Sequence, residues 1–304
     1  IHNYQKSLVY VMIRKVLVTG GAGFIGSHLI DFLMKEGKFY VVAFDNLSAG
    51  KKEYIESWLD NPNFEFHDID LRNREELIEA CKGFEIVFHL AANPEVRIGA
   101  QKPEDIWENN VVATYNLLEA MRTNRIKSLV FASSSTVYGD AKKLPTPEDY
   151  APLEPISVYG ASKLACEALI SSYAHTFKIR SLVLRYANII GSRLRHGVIY
   201  DFIMKLERNP DVLEILGDGT QRKSYLHISD AIDATIHAFN VFRQSDKLFD
   251  TYNVGSEDWV TVKEIAEIVS KAMDLNPKFY FTGGVEGGRG WVGDVKYMLL
   301  DISK

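Results

Sequence analysis

Apolar residues fall into short continuous blocks, separated by stretches where they recur every three or four positions. Val16-Leu17-Val18, Phe39 to Phe44, Glu85 to Leu90 and Leu129-Val130-Phe131-Ala132 are blocks of the first kind, the pattern of strands buried on both faces. Phe64-Glu65-Phe66-His67 alternates as a shorter strand, and Ser181 to Tyr186 makes a further one. Between them, Phe24, Leu29, Phe32 and Leu33 recur at helical spacing. Asn73 to Cys81 predicts an amphipathic helix with Asn73 as N-cap, and Pro103 to Met121 and Tyr159 to Phe177 predict longer ones. Strand and helix alternate as far as Tyr186, the signature of a parallel sheet covered on both faces.

Beyond Tyr186 the rhythm loosens. Val198 to Arg208, Ser229 to Phe242 and Thr261 to Met273 read as helices, the last two with Ser229 and Thr261 as N-caps. Gly217-Asp218-Gly219-Thr220 reads as a turn and Tyr225 to Ile228 as a short strand. The expected fold is α/β: a doubly wound parallel sheet, Rossmann-like, with a smaller C-terminal α/β lobe. Residues 12–178 are expected to form the dinucleotide-binding domain and 179–304 mainly the substrate lobe, with 210–240 packing back on the sheet. Residues 1–11 are expected outside the fold as a leader, because Met12-Ile13-Arg14-Lys15 resembles a natural start.

Composition narrows the class. At 304 residues the chain holds one large or two medium domains. A net charge of −5 implies no broad attraction to nucleic acid or to an anionic membrane surface. Its two cysteines, Cys81 and Cys166, are too few for a disulfide framework, lack metal spacing and sit in helical patterns, so buried thiols are expected and no metal. No apolar run approaches the ~18–20 residues of a membrane span. A cytoplasmic location is the expectation that follows.

The chemistry concentrates where strands end. The strand at Val16 to Val18 runs into Gly20, Gly23 and Gly26 and then into a helix. Such glycines allow a tight turn, close approach of backbone to a pyrophosphate, and close helix–strand packing. The helix N-terminus then offers free N–H groups to phosphate. Asp45 ends the second strand at roughly the ~20-residue distance expected of a ribose-binding acid. Its charge would repel a 2′-phosphate, which favours NAD over NADP. Tyr159 and Lys163 form an (i, i+4) pair on one helix face. A free tyrosine has a pKa of about 10, and a nearby ammonium favours the phenolate.

Taken together, Thr19-Gly20-x-x-Gly23-x-x-Gly26, Ser133 to Gly139, Tyr159 with Lys163, and Arg185-Tyr186-Ala187-Asn188 resemble the extended short-chain dehydrogenase/reductases. Within them the chain is most similar to the nucleotide-sugar epimerase/dehydratase branch, of the UDP-glucose/UDP-galactose 4-epimerase type. The related sugar dehydratases carry an Asp-Glu pair before Val-Tyr-Gly, where this chain has Ser135-Thr136. The resemblance implies a tightly held NAD and a UDP-sugar substrate oxidised and re-reduced at C4 through a 4-keto sugar. It implies Ser134, Tyr159 and Lys163 as catalytic residues. For the cofactor it implies Gly20, Gly23, Phe24, Ile25, Gly26, Asp45, Asn46, Asp68, Ile69, Leu90, Ala91, Ala92, Asn110 (or its neighbour Asn109), Ser133, Tyr159, Lys163 and Tyr186. For the substrate it implies Ser134, Thr136, Asn188, Arg195, Lys223 (with Arg222 as its alternative) and Arg289. Met298 is implied as a pocket-wall residue facing the 2-position of the sugar. A homodimer formed through the 103–121 and 159–177 helices is implied as well.

Overall fold

In the computed structural model, which describes residues 14–304, the apolar blocks assemble into one seven-stranded sheet. The expected leader 1–11 and the start at Met12 lie outside the described residues. Strands β1 (Arg14–Thr19), β2 (Phe39–Phe44), β3 (Phe64–His67), β4 (Ile86–His89), β5 (Ser128–Ser134), β6 (Arg180–Tyr186) and β7 (Phe249–Val254) run in the order β7-β6-β5-β4-β1-β2-β3. Every neighbouring pair is parallel. The chain moves outward from β1 to β3, then returns to β1's other side with β4. That reversal opens a crevice beyond the carboxyl ends of β1 and β4, where ligands of open α/β sheets bind.

Of the helices α1 (Phe24–Glu36), α2 (Arg74–Ala80), α3 (Ala113–Thr123), α4 (Val158–Phe177), α5 (Val198–Arg208), α6 (Ile228–Gln244) and α7 (Val262–Ala272), all but α5 and α7 cover this frame. Alternate strand residues point to opposite faces. Val16, Val18, Val41, Ala43, Phe88 and Leu184 therefore pack with Leu29, Ile30 and Leu33 of α1 and Ile232, Phe239 and Phe242 of α6. Leu17, Val42, Val87, Leu129 and Phe131 face the other way, onto Leu77 of α2, Leu117 and Met121 of α3, and Ile170 of α4. Full burial of each large side chain stabilises the fold by about 1.5–3 kcal/mol. Both cysteines are buried.

The local readings meet the structure unevenly. Asn73 caps α2 by accepting the Glu76 amide, and Thr261 caps α7 in a full capping box. Ser229 does not cap α6. The strand Tyr225–His227 pairs with Asn188–Ile190 and ends just before the helix, so His227 is the N-cap and its ring accepts the Ser229 amide. The expected continuous helix from Pro103 is a short α turn, Pro103–Ile106, a π turn, Trp107–Val112, and then α3. Strand β7 carries no continuous apolar block, because it lies at the sheet edge.

The expected cut after residue 178 runs through this sheet, since β6, α6 and β7 all follow it and share the main core. Residues 228–240 pack back on the sheet, whereas strand Val212–Ile215 belongs to the second lobe. There it pairs in parallel with Lys278–Phe281, and α5 and α7 close over it through Phe202, Leu206, Ile265 and Val269. Among the described residues no helix is long and apolar enough to cross a membrane.

Phe242→Ala should cost about 3–5 kcal/mol in denaturant unfolding, because it leaves a cavity between α6 and the sheet. Thr261→Ala should cost about 1 kcal/mol through loss of the cap alone. A Phe242 variant costing no more than the Thr261 one would refute this packing of α6.

Candidate active site

The turn after β1 is closed too tightly for side chains. Gly20 has a φ of +70°, and a Cβ there would stand 2.7 Å from the Ala91 amide nitrogen. A Cβ on Gly26 would lie 2.1 Å from the Gly20 carbonyl oxygen. Leu90 and Ala91 consequently run against the turn, and the Leu90 amide donates to the Thr19 carbonyl at 3.1 Å. Ala92 and Asn93 follow, the Asn93 amide donating to Asn110 Oδ1 at 2.8 Å. Gly23 is the N-cap of α1 and supplies no side-chain cap, so the first-turn amides of Phe24 and Ile25 point into the crevice mouth. At the end of β2 the Asp45 carboxylate accepts the Ala22 and Leu47 amides at 3.0 and 2.9 Å. Burial pushes its carboxyl above the usual range, those amides pull it down, and Asp68 adds to the rise.

Ser134, Tyr159 and Lys163 converge across the crevice. Ser134 ends β5; its Oγ accepts the Thr136 amide at 3.2 Å and the Thr136 hydroxyl at 3.0 Å. With its lone pairs so engaged, the Ser134 hydroxyl is left to donate, and it does so toward Tyr159. Ser157 caps α4 by accepting the Gly160 amide, which places Tyr159 in the first turn. Lys163 lies one turn on, its Nζ donating to the Ala132 carbonyl at 2.8 Å and standing 5.8 Å from the Tyr159 ring centroid. Burial pushes the Tyr159 phenol up to about 12 against a smaller downward pull from Ser134. Burial pulls Lys163 down to about 8, so it is still mostly protonated at neutral pH. Glu167 continues the same stripe of α4 and takes two bonds from Arg185 of β6 and one from Ser133. That buried ion pair sets the rotation of α4, and with it the aim of Tyr159.

Other expected residues are held differently. Asn110 is buried and bonds Asn93 and Ser162, whereas Asn109 only reaches back to the Asp105 carbonyl. The π turn accounts for that inward placement. Asn46 bonds Asp70, Asp68 is exposed, and Ile69 is buried in the core. Tyr186 is not brought into the crevice: its ring is buried in the core and its hydroxyl lies 2.6 Å from Thr235 Oγ1. Asn188 bonds the Ser224 carbonyl. Met298 packs with Val137, Tyr138 and Leu300 rather than on a pocket wall.

A cavity of about 130 Å³ opens between the lobes, lined by Glu95, Arg97, His196, Lys223, Trp291 and Asp294 among others. Loops that contribute to its wall pack on the N-terminal turn of α4: a Cβ on Gly99, close after Arg97, would stand 3.7 Å from the Tyr159 amide nitrogen, and one on Gly293, beside Asp294, 2.9 Å from the Ile156 carbonyl. Lys223 and Arg222 occupy one short strand and face opposite ways. Lys223 enters the cavity wall and pairs with Asp294 at 2.5 Å, while Arg222 stacks 4.3 Å from the Trp259 ring centroid. Arg195 is exposed and outside the wall. Arg289 is bound to both Asp140 oxygens and to the Asp294 carbonyl. Sequence reasoning passed over Arg97 and Gln221 and took Trp291 for a spacer. The available signal for Arg97 was its place in the loop after β4; Gln221 offered none. Among the described residues no cluster could hold a metal ion.

Residues 16–255 match the NAD dependent epimerase/dehydratase family. The UDP-glucose 4-epimerase of Lactobacillus helveticus is 32% identical over 95% of this chain and 89% of that protein. The UDP-glucuronate 4-epimerase of Thermodesulfobacterium geofontis is 32% identical over 95% of this chain and 88% of its own. A crystal structure of a UDP-galactose 4-epimerase superposes with a TM-score of 0.85 at 49% identity, covering 95% of this chain and 90% of that one.

Two outcomes test this geometry. In the protein freed of ligand, the ultraviolet difference titration between wild type and Tyr159→Phe should show one phenol ionising near 12. That group stays protonated in the folded chain after its unfolded counterpart ionises, so its contribution to stability is intact below pH ~10 and is lost as pH rises through the folded value. A phenol titrating at its ordinary value would contradict the burial. Gly26→Ala should abolish dinucleotide binding or folding, by driving a methyl into the Gly20 carbonyl.

Proposed function

The chain belongs to the NAD dependent epimerase/dehydratase family, and we propose that it is a nucleotide-sugar 4-epimerase of the UDP-glucose/UDP-galactose type. The observation that carries this reading is the convergence of Ser134, Tyr159 and Lys163 on a crevice whose glycine turn and Asp45 fit NAD. The fit is local. A Cβ on Gly26 would fill the space above Gly20, and one on Gly50 would touch both Asp45 carboxylate oxygens at 2.8 Å. The amides of Phe24 and Ile25 would hold the pyrophosphate, Asp45 the adenosine ribose, and Lys163 the nicotinamide ribose. When bound, NAD supplies the hydride acceptor and donor.

Tyr159 removes the proton of the sugar 4-hydroxyl and later returns one. Ser134 donates to the same oxygen, its own acceptor sites being taken by Thr136. The chain alone does not set Tyr159 for this work. Bringing a phenol from about 12 to neutrality requires roughly 7 kcal/mol of differential stabilisation. One cation about 6 Å away contributes about 3 kcal/mol at an effective dielectric constant near 20. Lys163 therefore supplies part, and the positive charge of an oxidised nicotinamide bound beside it would add to that. Proton removal is thereby tied to occupancy of the cofactor site. Thr136 stands where an acid would be needed for water loss, which favours epimerisation over dehydration. A homodimer through the 103–121 segment and α4 accounts for the exposed Trp107, Tyr115 and Phe177, at 50%, 38% and 37% accessibility.

Purified protein should interconvert UDP-glucose and UDP-galactose in a coupled assay, with the N-acetylhexosamine and glucuronate pairs run alongside. Tyr159→Phe should lower turnover about 100- to 10,000-fold while leaving the fold intact. Full activity in that variant, or conversion of none of these sugars, would overturn the proposal. Light scattering should give twice the mass of one chain.

A further inference from the structure

The cations expected to meet the substrate are mostly occupied elsewhere. Arg289 is bidentate to Asp140, and Arg222 and Arg195 lie outside the cavity wall. Lys223 is in the wall, but its ammonium is 2.5 Å from Asp294, whose side chain is only 2% exposed, so the pair carries no net charge. Arg97 is also in the wall, and it makes no ion pair among the described residues. Its guanidinium lies 5.6 Å from the Trp291 ring centroid, and Lys223 Nζ lies 5.5 Å from the same centroid. An indole face positions a guanidinium without neutralising it. Arg97 leads into the turn Ile98–Ala100, in which Gly99 packs on Val158 and the backbone of Tyr159. The free charge thus lies in the cavity wall, on the loop whose Gly99 packs on the first turn of the catalytic helix.

We propose that Arg97 is the residue that binds the diphosphate of the substrate, at the junction between the nucleoside in the cavity and the sugar at Tyr159. This rests on the nucleotide-sugar reading above. In such a substrate the diphosphate is the anion midway between base and hexose, and a guanidinium fork matches its paired oxygens. Without Arg97 the wall opposes Glu95, Asp201 and Asp294 with Lys223 alone, Asp201 being paired with Lys205 outside it, and an incoming diphosphate meets net negative charge. Arg97 is exposed, so its replacement spares the core.

Calorimetric binding of UDP and uridine, and of GDP and guanosine, to the purified enzyme tests the assignment. Wild type should prefer one diphosphate over its nucleoside. Arg97→Ala should weaken that diphosphate about 10- to 100-fold and leave the nucleoside unchanged, with Arg97→Lys in between. Added salt should erode the preference in wild type more than in Arg97→Ala. In turnover, KM should rise more than kcat falls. Undiminished diphosphate affinity in Arg97→Ala, or an equal loss of nucleoside affinity, overturns the role of Arg97. A wild type that binds none of the four overturns the nucleotide-sugar reading itself, before any variant is made.

Discussion

The rest of this molecule depends on one close backbone approach. The Gly20 carbonyl sits where a Cβ on Gly26 would be, 2.1 Å away, and Gly20 itself leaves no room for a side chain against Ala91. Because these three segments close on one another, α1 begins directly above β1, and the chain leaving β4 runs along the turn. The Asp45 carboxylate can then take the Ala22 amide. The crevice, its free helix amides and its ribose-facing acid are consequences of that packing.

A second set of constraints lies beneath the crevice, where buried polar groups bond one another. His89 is held between Thr19 and Thr114 at 2.7 and 2.9 Å, and burial pulls its pKa down to about 3, so it is neutral. The Thr114 hydroxyl donates to the Asn110 carbonyl, so His89 Nε2 is the protonated nitrogen and Nδ1 accepts from Thr19. The glycine turn is joined in this way to the π turn that holds Asn110. On the other side, Arg185 reaches Glu167, Tyr138 and the Glu148 carbonyl. A buried ion pair so fully bonded contributes more to uniqueness of arrangement than to stability. Here it fixes which face of α4 meets the crevice, and Tyr159, Lys163 and Glu167 share that face at intervals of one turn.

Much of this was legible along the chain. Strands β1, β2, β4, β5 and β6 carry continuous apolar blocks because both faces of the sheet are covered there, and that pattern survives translation into sequence, whereas β3 at the sheet edge alternates. The same holds for the caps at Asn73 and Thr261, whose partners lie within one turn. Strand β7 was not legible: at the sheet edge it tolerates Asp250, Thr251 and Asn253, and its pairing with β6 is decided by a partner many residues away. Ser229 looked like a cap because local chemistry allowed it, but the pairing of Tyr225–His227 with Asn188–Ile190 set the helix start one residue earlier.

The sequence by itself determined the α/β class, the glycine turn, Asp45 and the Tyr159–Lys163 pair, because each is a short-range pattern with its own physical requirement. Tertiary structure alone decided how the cations are divided. Arg289, Arg222 and Lys223 read alike as basic residues near the substrate lobe, yet Asp140 and Asp294 neutralise Arg289 and Lys223, and Arg222 lies on Trp259 outside the cavity wall. Those partners are distant in sequence, and a charge is available to a ligand only when no neighbour has already neutralised it. Only folding reveals that Arg97 keeps its charge at the cavity mouth.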